Sequence, residues 1–538
     1  MNSNHFLRSL PLVASALGRK YGLEVIIGGD KAATNGRRIF LPSLPLDSPP
    51  ELVALARGFL DHEAAHIRAT NFRQIKAAKL SALEFHVFNI IEDWRVEKVL
   101  GEIFPGCRSN FDWLARHFFD KAPEPDAQLD HDLLNWLLLE ARSWSVPELR
   151  PRAEALRLKL EVEVPVLIAS LGPIMDEVRA ACPNSQSVIS FARRIVEVIK
   201  DYVNNNCGSE AESSAPGEDE LSTSCDNDHS NNESENEQGT ASALKSLLTK
   251  PAGELPAGLG QELEGILTAA KAAAGENHQL RVAQVCPREL GELSPLALAE
   301  TNTTTLALKR RLQSLLQAAT LKKIRLGHRG RLDNGQLHRV FVNDSKLFRR
   351  SGLRIGLDSA VHLLIDASGS MGGQMTFVSA TAYSLCSALS KVPGLSLGAT
   401  VFPGRPTRRY KERELSWETV SPILSHGQTL HHKFQLTAEG STPMGEAVWW
   451  ALQEMSPLKQ NRKIILILTD GEPDYIDNTK TAIAEATRLG FEVYGLGLDS
   501  NDIKKLLPGR SAVIRQLADL PQAMFGLLGA AITGKESS

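Results

Sequence analysis

Cysteine is scarce: Cys107, Cys182, Cys207, Cys225, Cys286 and Cys386 are the six in 538 residues, with no CxxC pair and no closely spaced framework. That scatter excludes a disulfide-stapled scaffold and fits reduced thiols in a cytoplasm. Apolar runs long enough to span a membrane are lacking too, so no membrane partner is expected. Arg8 and Pro11 interrupt the N-terminal stretch through Leu17, which argues against a signal peptide. Between Asp201 and Leu244 there is no Lys or Arg at all, while Asn, Ser, Gly, Asp and Glu dominate. A segment of that composition cannot bury a core, and it predicts a disordered acidic linker over 201–244. The linker holds eleven acidic residues against a formal net charge of −3, so the remainder of the chain is mildly basic.

What is present falls into two metal-type motifs, one on each side of that linker. Asp366-Ala367-Ser368-Gly369-Ser370-Met371 directly follows the apolar run Val361-His362-Leu363-Leu364-Ile365. A run of this kind suits a strand buried on both faces of a parallel sheet, with Asp366 emerging at its carboxyl end, where open α/β sheets bind ligands. The alternation lets one carboxylate and two hydroxyls converge on a single hard cation. Oxygen-only donors favour Mg²⁺ or Mn²⁺ over Zn²⁺. Thr442, in Gly440-Ser441-Thr442-Pro443, and Asp470, after Ile464–Thr469, stand in loops at predicted element ends and complete the constellation.

The N-terminal motif is His62-Glu63-Ala64-Ala65-His66. Asp47 or Ser48 is placed to cap a helix, Pro49 and Pro50 suit its first turn, and Leu52, Leu55, Phe59 and Leu60 carry helical periodicity into the motif. Histidines at i and i+4 share one face and can hold one Zn²⁺, with Glu63 as the catalytic base acting on a bound water. A third ligand is required, and Glu92 is the candidate. Ser81 and Glu84 form a capping-box pattern that starts its helix, and Glu92 shares a face with Phe85, Phe88, Val96 and Val99. Asp93 and Glu97 align instead with Asn89 and His86, a face suited to supporting or surface roles. Leu23–Ile27 and Arg38–Leu41 read as a hairpin along which an extended peptide could lie. The alternative is a structural helix pair in which His62 and Glu63 are solvated and Glu92 meets an arginine such as Arg95.

After the linker, Leu306, Leu308, Leu312, Leu315, Leu316 and Ile324 recur at helical spacing beside several Lys and Arg, followed by a turn at Asp333-Asn334-Gly335 and a strand over Arg339–Val342. Without aromatic interleaving or a reader motif, a nucleic-acid partner is not expected. His431 and His432 read as loop residues, Trp449 and Trp450 as core, and the basic segment Arg405–Arg413 as exposed.

With Asp366, Ser368, Ser370, Thr442 and Asp470 in this order, residues 355–535 resemble a von Willebrand factor A domain carrying a metal-ion-dependent adhesion site. The resemblance implies that the serines and threonine bind the cation directly, that the aspartates often act through water, and that a partner's carboxylate takes the last position. Residues 20–105 look like a compact gluzincin metallopeptidase domain. Taken together, the HEAAH motif, Asn89-Ile90-Ile91-Glu92-Asp93-Trp94-Arg95, the acidic linker and the C-terminal A domain resemble the cobaltochelatase CobT subunit and its relatives in cobalamin biosynthesis. That resemblance implies a partner AAA+ ATPase of the MoxR or CobS type and a protein target. The expected architecture is a mainly helical gluzincin-like domain with a small hairpin (1–200), the linker (201–244), a helical, basic connector (245–350) and a doubly wound α/β A domain (351–538). The expected function is a cytoplasmic adaptor that engages the ATPase through Mg²⁺. A zinc peptidase whose A domain recruits substrate is the alternative, and extracellular adhesion ranks behind both.

Overall fold

The fold is taken from a computed structural model. It describes residues 38–119, 128–207, 242–273, 278–320, 358–404 and 417–533, together with a few shorter stretches. The predicted strand over Arg339–Val342 and the basic segment Arg405–Arg413 lie outside the described residues, as does most of the acidic segment.

Three short strands open the chain: β1 (Glu24–Ile27), β2 (Ala33–Thr34) and β3 (Arg38–Leu41). The expected hairpin is not what forms. β1 runs parallel to β3, pairing Glu24 with Arg38, and β2 supplies the antiparallel neighbour on the other side of β3. Seven helices follow: α1 (Pro50–Ala69), α2 (Phe72–Ala78), α3 (Ala82–Ile103), α4 (Pro105–Phe119), α5 (Leu129–Ser143), α6 (Arg150–Glu163) and α7 (Pro165–Ala180), and then α8 (Ser185–Cys207). Pro50 starts α1 after the extended Pro49, whose missing side-chain cap is not replaced by the expected Asp47 or Ser48; Ser48 Oγ donates to the Pro45 carbonyl instead. The capping box of α3 is present as its sequence predicts: Ser81 Oγ accepts from Glu84 N and Glu84 Oε2 accepts from Ser81 N.

Apolar faces of these helices close around Trp136, Leu133, Leu167 and Ile195, and Leu244 and Leu247 join the same core from beyond the acidic segment. The chain on both sides of that segment is thus held to one body. Helix α9 (Leu259–Ala273) then packs Leu259, Leu263 and Leu267 against the apolar stripe of α1.

The C-terminal region is a seven-stranded sheet flanked on both faces by helices. In spatial order it runs β13 (Ser511–Ile514), β12 (Phe491–Leu498), β11 (Arg462–Thr469), β8 (Ser359–Asp366), β9 (Leu395–Phe402), β10 (Thr419–Leu424) and β4 (Gln284–Val285). β10 is antiparallel to β9; the other pairings are parallel. Separate from it is a three-stranded ribbon of β5 (Arg325–Gly327), β7 (Phe348–Arg350) and β6 (Arg331–Leu332). Every residue of β8 is buried. Its alternation divides the core in two: Ala360 and Leu364 face one side, Val361, Leu363 and Ile365 the other. The second side is covered by α10 (Pro295–Thr320), α11 (Met375–Leu389) and, near the C-terminus, α15 (Leu520–Thr533). The first is covered by α12 (Met444–Met455) and α13 (Ile476–Arg488), with the short α14 (Asp502–Leu506) beside β12. Trp449 and Trp450 are core residues, as expected.

The two regions touch along residues 278–286. Leu280 N donates to the Leu44 carbonyl, Val282 N to that of Ile27 and Ala283 N to that of Glu446. Trp417 adds a second contact: its ring stacks on Phe40 at 5.6 Å and its Nε1 donates to the Gly28 carbonyl.

Candidate metal centres

The HExxH motif occupies the C-terminal half of α1, and both its acid and its first histidine are buried, at 8% and 2% exposure for Glu63 and His62. Solvation of this pair is therefore excluded. His62, His66 and Asp93 converge, each offering one ligand atom within 4.8 Å of the others. Asp93, and not Glu92, completes the cluster. Glu92 points to the other side of α3, where its carboxylate accepts two hydrogen bonds from Arg95 at 2.9 and 2.7 Å and one from Ser185 Oγ at 2.8 Å. Successive helix positions stand about 100° apart, so a shift of one residue exchanges the α1 side of α3 for the α8 side.

The lost ligand keeps a supporting function. Thr70 Oγ1 donates its only proton to Glu92 Oε1 at 2.7 Å, so toward His66 it acts as an acceptor. His66 Nδ1, 3.1 Å from that hydroxyl, must carry the hydrogen, and in the neutral ring the lone pair then falls on Nε2, the atom that faces Asp93 at 3.1 Å. His62 is set in the same way: Nδ1 donates to Glu97 Oε1 at 2.8 Å, which leaves Nε2 as the metal-facing nitrogen. Two histidines held in the same tautomer by outer partners, with a carboxylate between them, are a donor set that fits Zn²⁺. Arg142 backs the acids, bonding Glu97 Oε2 through Nη1 and standing 3.5 Å from Asp93 Oδ2.

Electrostatics agree with a charged cluster. Burial alone would push the His62 pKa down, but Asp93 and Glu97 outweigh it and hold it at about 9. Burial pulls Asp93 upward, and His62, His66 and Arg142 more than reverse this, leaving it at about 2. Glu63 is pushed up by burial against the pull of His62 and His66. Over the cluster lies Gly260 of α9. A Cβ there would stand 3.3 Å from His62 Nε2 and 3.8 Å from Glu63 Oε1. Glycine at this position lets a helix backbone approach the metal-facing atoms.

The second centre sits at the carboxyl edge of the central strands. Asp366 ends β8 and is fully buried; its Oδ1 accepts from Ser368 N at 2.9 Å and its Oδ2 from Thr469 Oγ1 at 2.6 Å. The Ser368 and Ser370 hydroxyls are 3.0 Å apart, and Ser370 Oγ donates to Asp470 Oδ1 at 2.9 Å. The loop carrying Thr442 is tied to the same place, because Gly369 N donates to the Gly440 carbonyl and Glu439 N to that of Ala367. Gly440 has φ of +87°, which a residue with a side chain rarely adopts. Asp474 Oδ2 accepts from Thr442 N at 2.7 Å and fixes that end of the loop. Thus Asp366, Ser368, Ser370, Thr442 and Asp470 lie on three loops of one edge, and their oxygen-only donors fit a hard divalent cation. Burial pushes the Asp366 carboxyl up to about 6, with Asp470 adding to the rise and the Thr469 and Ser368 bonds opposing it.

Sequence reasoning found all five residues of this edge and both histidines, but not Thr469, Asp474, Thr70 or Arg142. It set Asp93 and Glu97 on a supporting face. Their i, i+4 spacing, matching that of the histidines, is a signal that could have placed them at the centre. His431 and His432 serve the loop, as expected: His431 Nε2 donates to the Ile423 carbonyl and His432 Nδ1 bonds the Tyr383 hydroxyl.

A sheet of this order, with its oxygen-rich carboxyl edge, defines a von Willebrand factor type A domain, and residues 360–510 match the family model of that domain. Residues 1–250 match the family model described as cobalamin biosynthesis protein CobT. The chain thus joins a CobT-like region over residues 1–250 to a von Willebrand factor A domain over residues 360–510. Protein NorD from Brucella abortus is 28% identical over 134 residues, and that from Brucella suis 29% over 133. The match covers 21% of this chain and about a fifth of the length of those relatives. Among solved structures, proximal thread matrix protein 1 of the mussel byssus, with a zinc-occupied adhesion-site motif, is 14% identical at a TM-score of 0.27, covering 33% of this chain and 46% of its own. The pilus tip protein Mfa5 of Porphyromonas gingivalis is 13% identical at 0.26, covering 34% and 98%. No described helix is long and apolar enough to cross a membrane.

Proposed function

We propose that the chain is an adaptor that grips a carboxylate of an AAA+ ATPase of the MoxR or CobS type through a divalent cation, Mg²⁺ in the leading case, and couples that ATPase to a protein target. The observation that carries this reading is the convergence of Ser368, Ser370 and Asp470 beside the buried Asp366, with the Thr442 loop hydrogen-bonded onto the same edge. Ser370 is exposed and Asp470 partly so, which leaves one side of the centre open to a partner. The bound cation would supply a positive charge for the incoming carboxylate. Ser368, Ser370 and Thr442 would present hydroxyl oxygens to it, and Asp366, anchored by Thr469, would hold the loop's shape. The CobT-like N-terminal match supports a role among multi-subunit partners, and work in the cytoplasm belongs to the same proposal.

The test is affinity for an AAA+ ATPase that co-purifies with the full chain, measured in Mg²⁺ and in EDTA. Binding should require Mg²⁺ and should vanish in Ser368→Ala and Thr442→Ala. Equal affinity in Mg²⁺ and EDTA overturns the adaptor role.

A second reading concerns zinc at His62, His66 and Asp93, with Glu63 as the base of a peptidase. The histidine tautomers and the acidic backing favour the metal. The approach of Gly260 favours a centre that is covered in this conformation, so hydrolysis would require α9 to withdraw. Stoichiometric zinc with no Glu63-dependent cleavage would leave the metal in a structural role.

A further inference from the structure

Helix α9 brings more than a glycine to the histidine cluster. Leu259, Leu263 and Leu267 turn into the core beside α1, and Gly260 stands against His62 and Glu63. Positions four apart on a helix share a face one turn apart, so Glu264 follows Gly260 on the side that meets the HExxH motif. It is half-buried there, whereas Gln261, Glu262 and Gly265 are exposed. Its charge reaches Glu63, whose pKa it helps to raise together with Asp93. Asp93 is compensated by His62, His66 and Arg142. Glu264 is not: among the described residues no hydrogen bond or ion pair engages it. A half-buried carboxylate facing another acid is unfavourable unless a cation comes between them. The metal-facing nitrogen of His62 lies on this same side, 3.3 Å from where a Cβ of Gly260 would stand. A zinc site with no open position takes four protein ligands, and His62, His66 and Asp93 supply three.

We infer that Glu264 closes this centre: with Zn²⁺ held by His62, His66 and Asp93, the Glu264 carboxylate takes the fourth position, in place of the water that Glu63 would otherwise face. Glu264 stands outside the group of ligand atoms that the other three form within 4.8 Å, and rotation about its three side-chain bonds carries its carboxylate inward. Gly260 makes this approach possible, because any side chain one turn earlier would fill the space beside His62 Nε2. The ligand set then joins α1 and α3 to a helix beyond the acidic segment. In that arrangement Glu63 has no water to activate, so the metal ties helices together until α9 withdraws and Glu264 leaves with it. The inference rests on the zinc reading given above and adds to it the residue that decides whether the fourth position is open.

The test titrates the full chain with Zn²⁺ against a chelator and, in parallel, with Co²⁺, whose visible absorption is intense in a four-coordinate site and weak when water adds to the coordination. The wild type should give the intense spectrum, unchanged by acetohydroxamate, a small ligand that needs an open position. Glu264→Gln should weaken zinc binding by at least the roughly tenfold that loss of an outer partner costs, and its Co²⁺ spectrum should weaken and respond to acetohydroxamate. Glu262→Gln removes the same charge from an exposed position of α9 and should leave affinity and spectrum as they are. In EDTA the thermal midpoint of Glu264→Gln should hold or rise, since a repulsion with Glu63 is removed, which shows that the variant folds. Metal uptake that requires His66 but is identical in affinity and spectrum in wild type and Glu264→Gln overturns the role of Glu264 and keeps the three-residue centre. Absence of stoichiometric uptake, or uptake that His66→Ala leaves unchanged, removes the zinc centre and this inference with it.

Discussion

Gly260 of α9 lies against the metal-facing side of His62, so close that a Cβ would be 3.3 Å from Nε2. The two residues are nearly two hundred positions apart and are separated by the acidic segment. Leu259, Leu263 and Leu267 anchor the helix in the core beside α1, so it is a packed cover and not a loose strap. Whether His62 holds a metal, and whether a substrate can reach it, is thus decided in part by a helix outside the motif.

Gly260→Ala should separate these effects. In a helix, Ala is favoured over Gly by about 0.5–1 kcal/mol, which offsets part of the crowding. The thermal midpoint of the metal-free protein should therefore change little, while zinc affinity falls, because the new methyl occupies the space beside Nε2. Parallel melting curves and zinc titrations check this, and unchanged zinc affinity would place the metal elsewhere.

Asp93 and Glu92 are expected to fail in different ways. Asp93→Asn should lose zinc with a modest change in stability. Glu92→Gln should retain zinc but lose roughly 3 kcal/mol or more, because Arg95 would be left buried without its counter-charge. Metal analysis beside denaturant unfolding distinguishes a ligand from an ion-pair partner. Zinc loss in Glu92→Gln alone would restore Glu92 as the ligand.

Asp366→Asn should reverse the usual cost of a substitution. The buried carboxyl is already pushed up to about 6, so the neutral isostere avoids burying a charge while its carbonyl still accepts from Thr469 or Ser368. In EDTA the midpoint should hold or rise. The Mg²⁺-dependent increase expected of the wild type should disappear, since that increase would be binding linkage.

The pair His362 and His426 predicts an acid-sensitive sheet. Their rings are bonded at 3.1 Å, with Thr400 and Ser396 on the outer nitrogens. Burial pushes His362 down to about 3 and His426 to about 4. Both folded values lie below the unfolded one, so the unfolded chain binds more protons below about pH 6.5. Their stabilisation is complete above that pH and is lost progressively as pH falls toward 4. Glu446 acts in the opposite direction: burial raises it to about 8, so its contribution is present below about pH 4.5 and is lost as pH rises through 8. Urea unfolding from pH 4 to 9 should show both slopes, and Glu446→Gln should flatten only the descending one between about pH 4.5 and 8.

The sequence by itself determined the carboxyl-edge centre almost completely. Its residues sit in short loops bound to strands, and a strand that is apolar throughout dictates where its terminal Asp366 emerges. It likewise determined the HExxH helix and the capping box of α3, because those signals are local. It pointed to Glu92 in place of Asp93, because an acid on the apolar face of α3 looked like the ligand, whereas the choice depends on which neighbouring helix meets which face. Arg95 and Ser185 claim Glu92, and α1 then faces Asp93. Nor could it pair β1 with β3 in parallel, because β2 fills the place a hairpin partner would take. The cover formed by α9 and the bracing by Arg142 arise where helices distant in sequence converge, and only the tertiary packing brings those residues together.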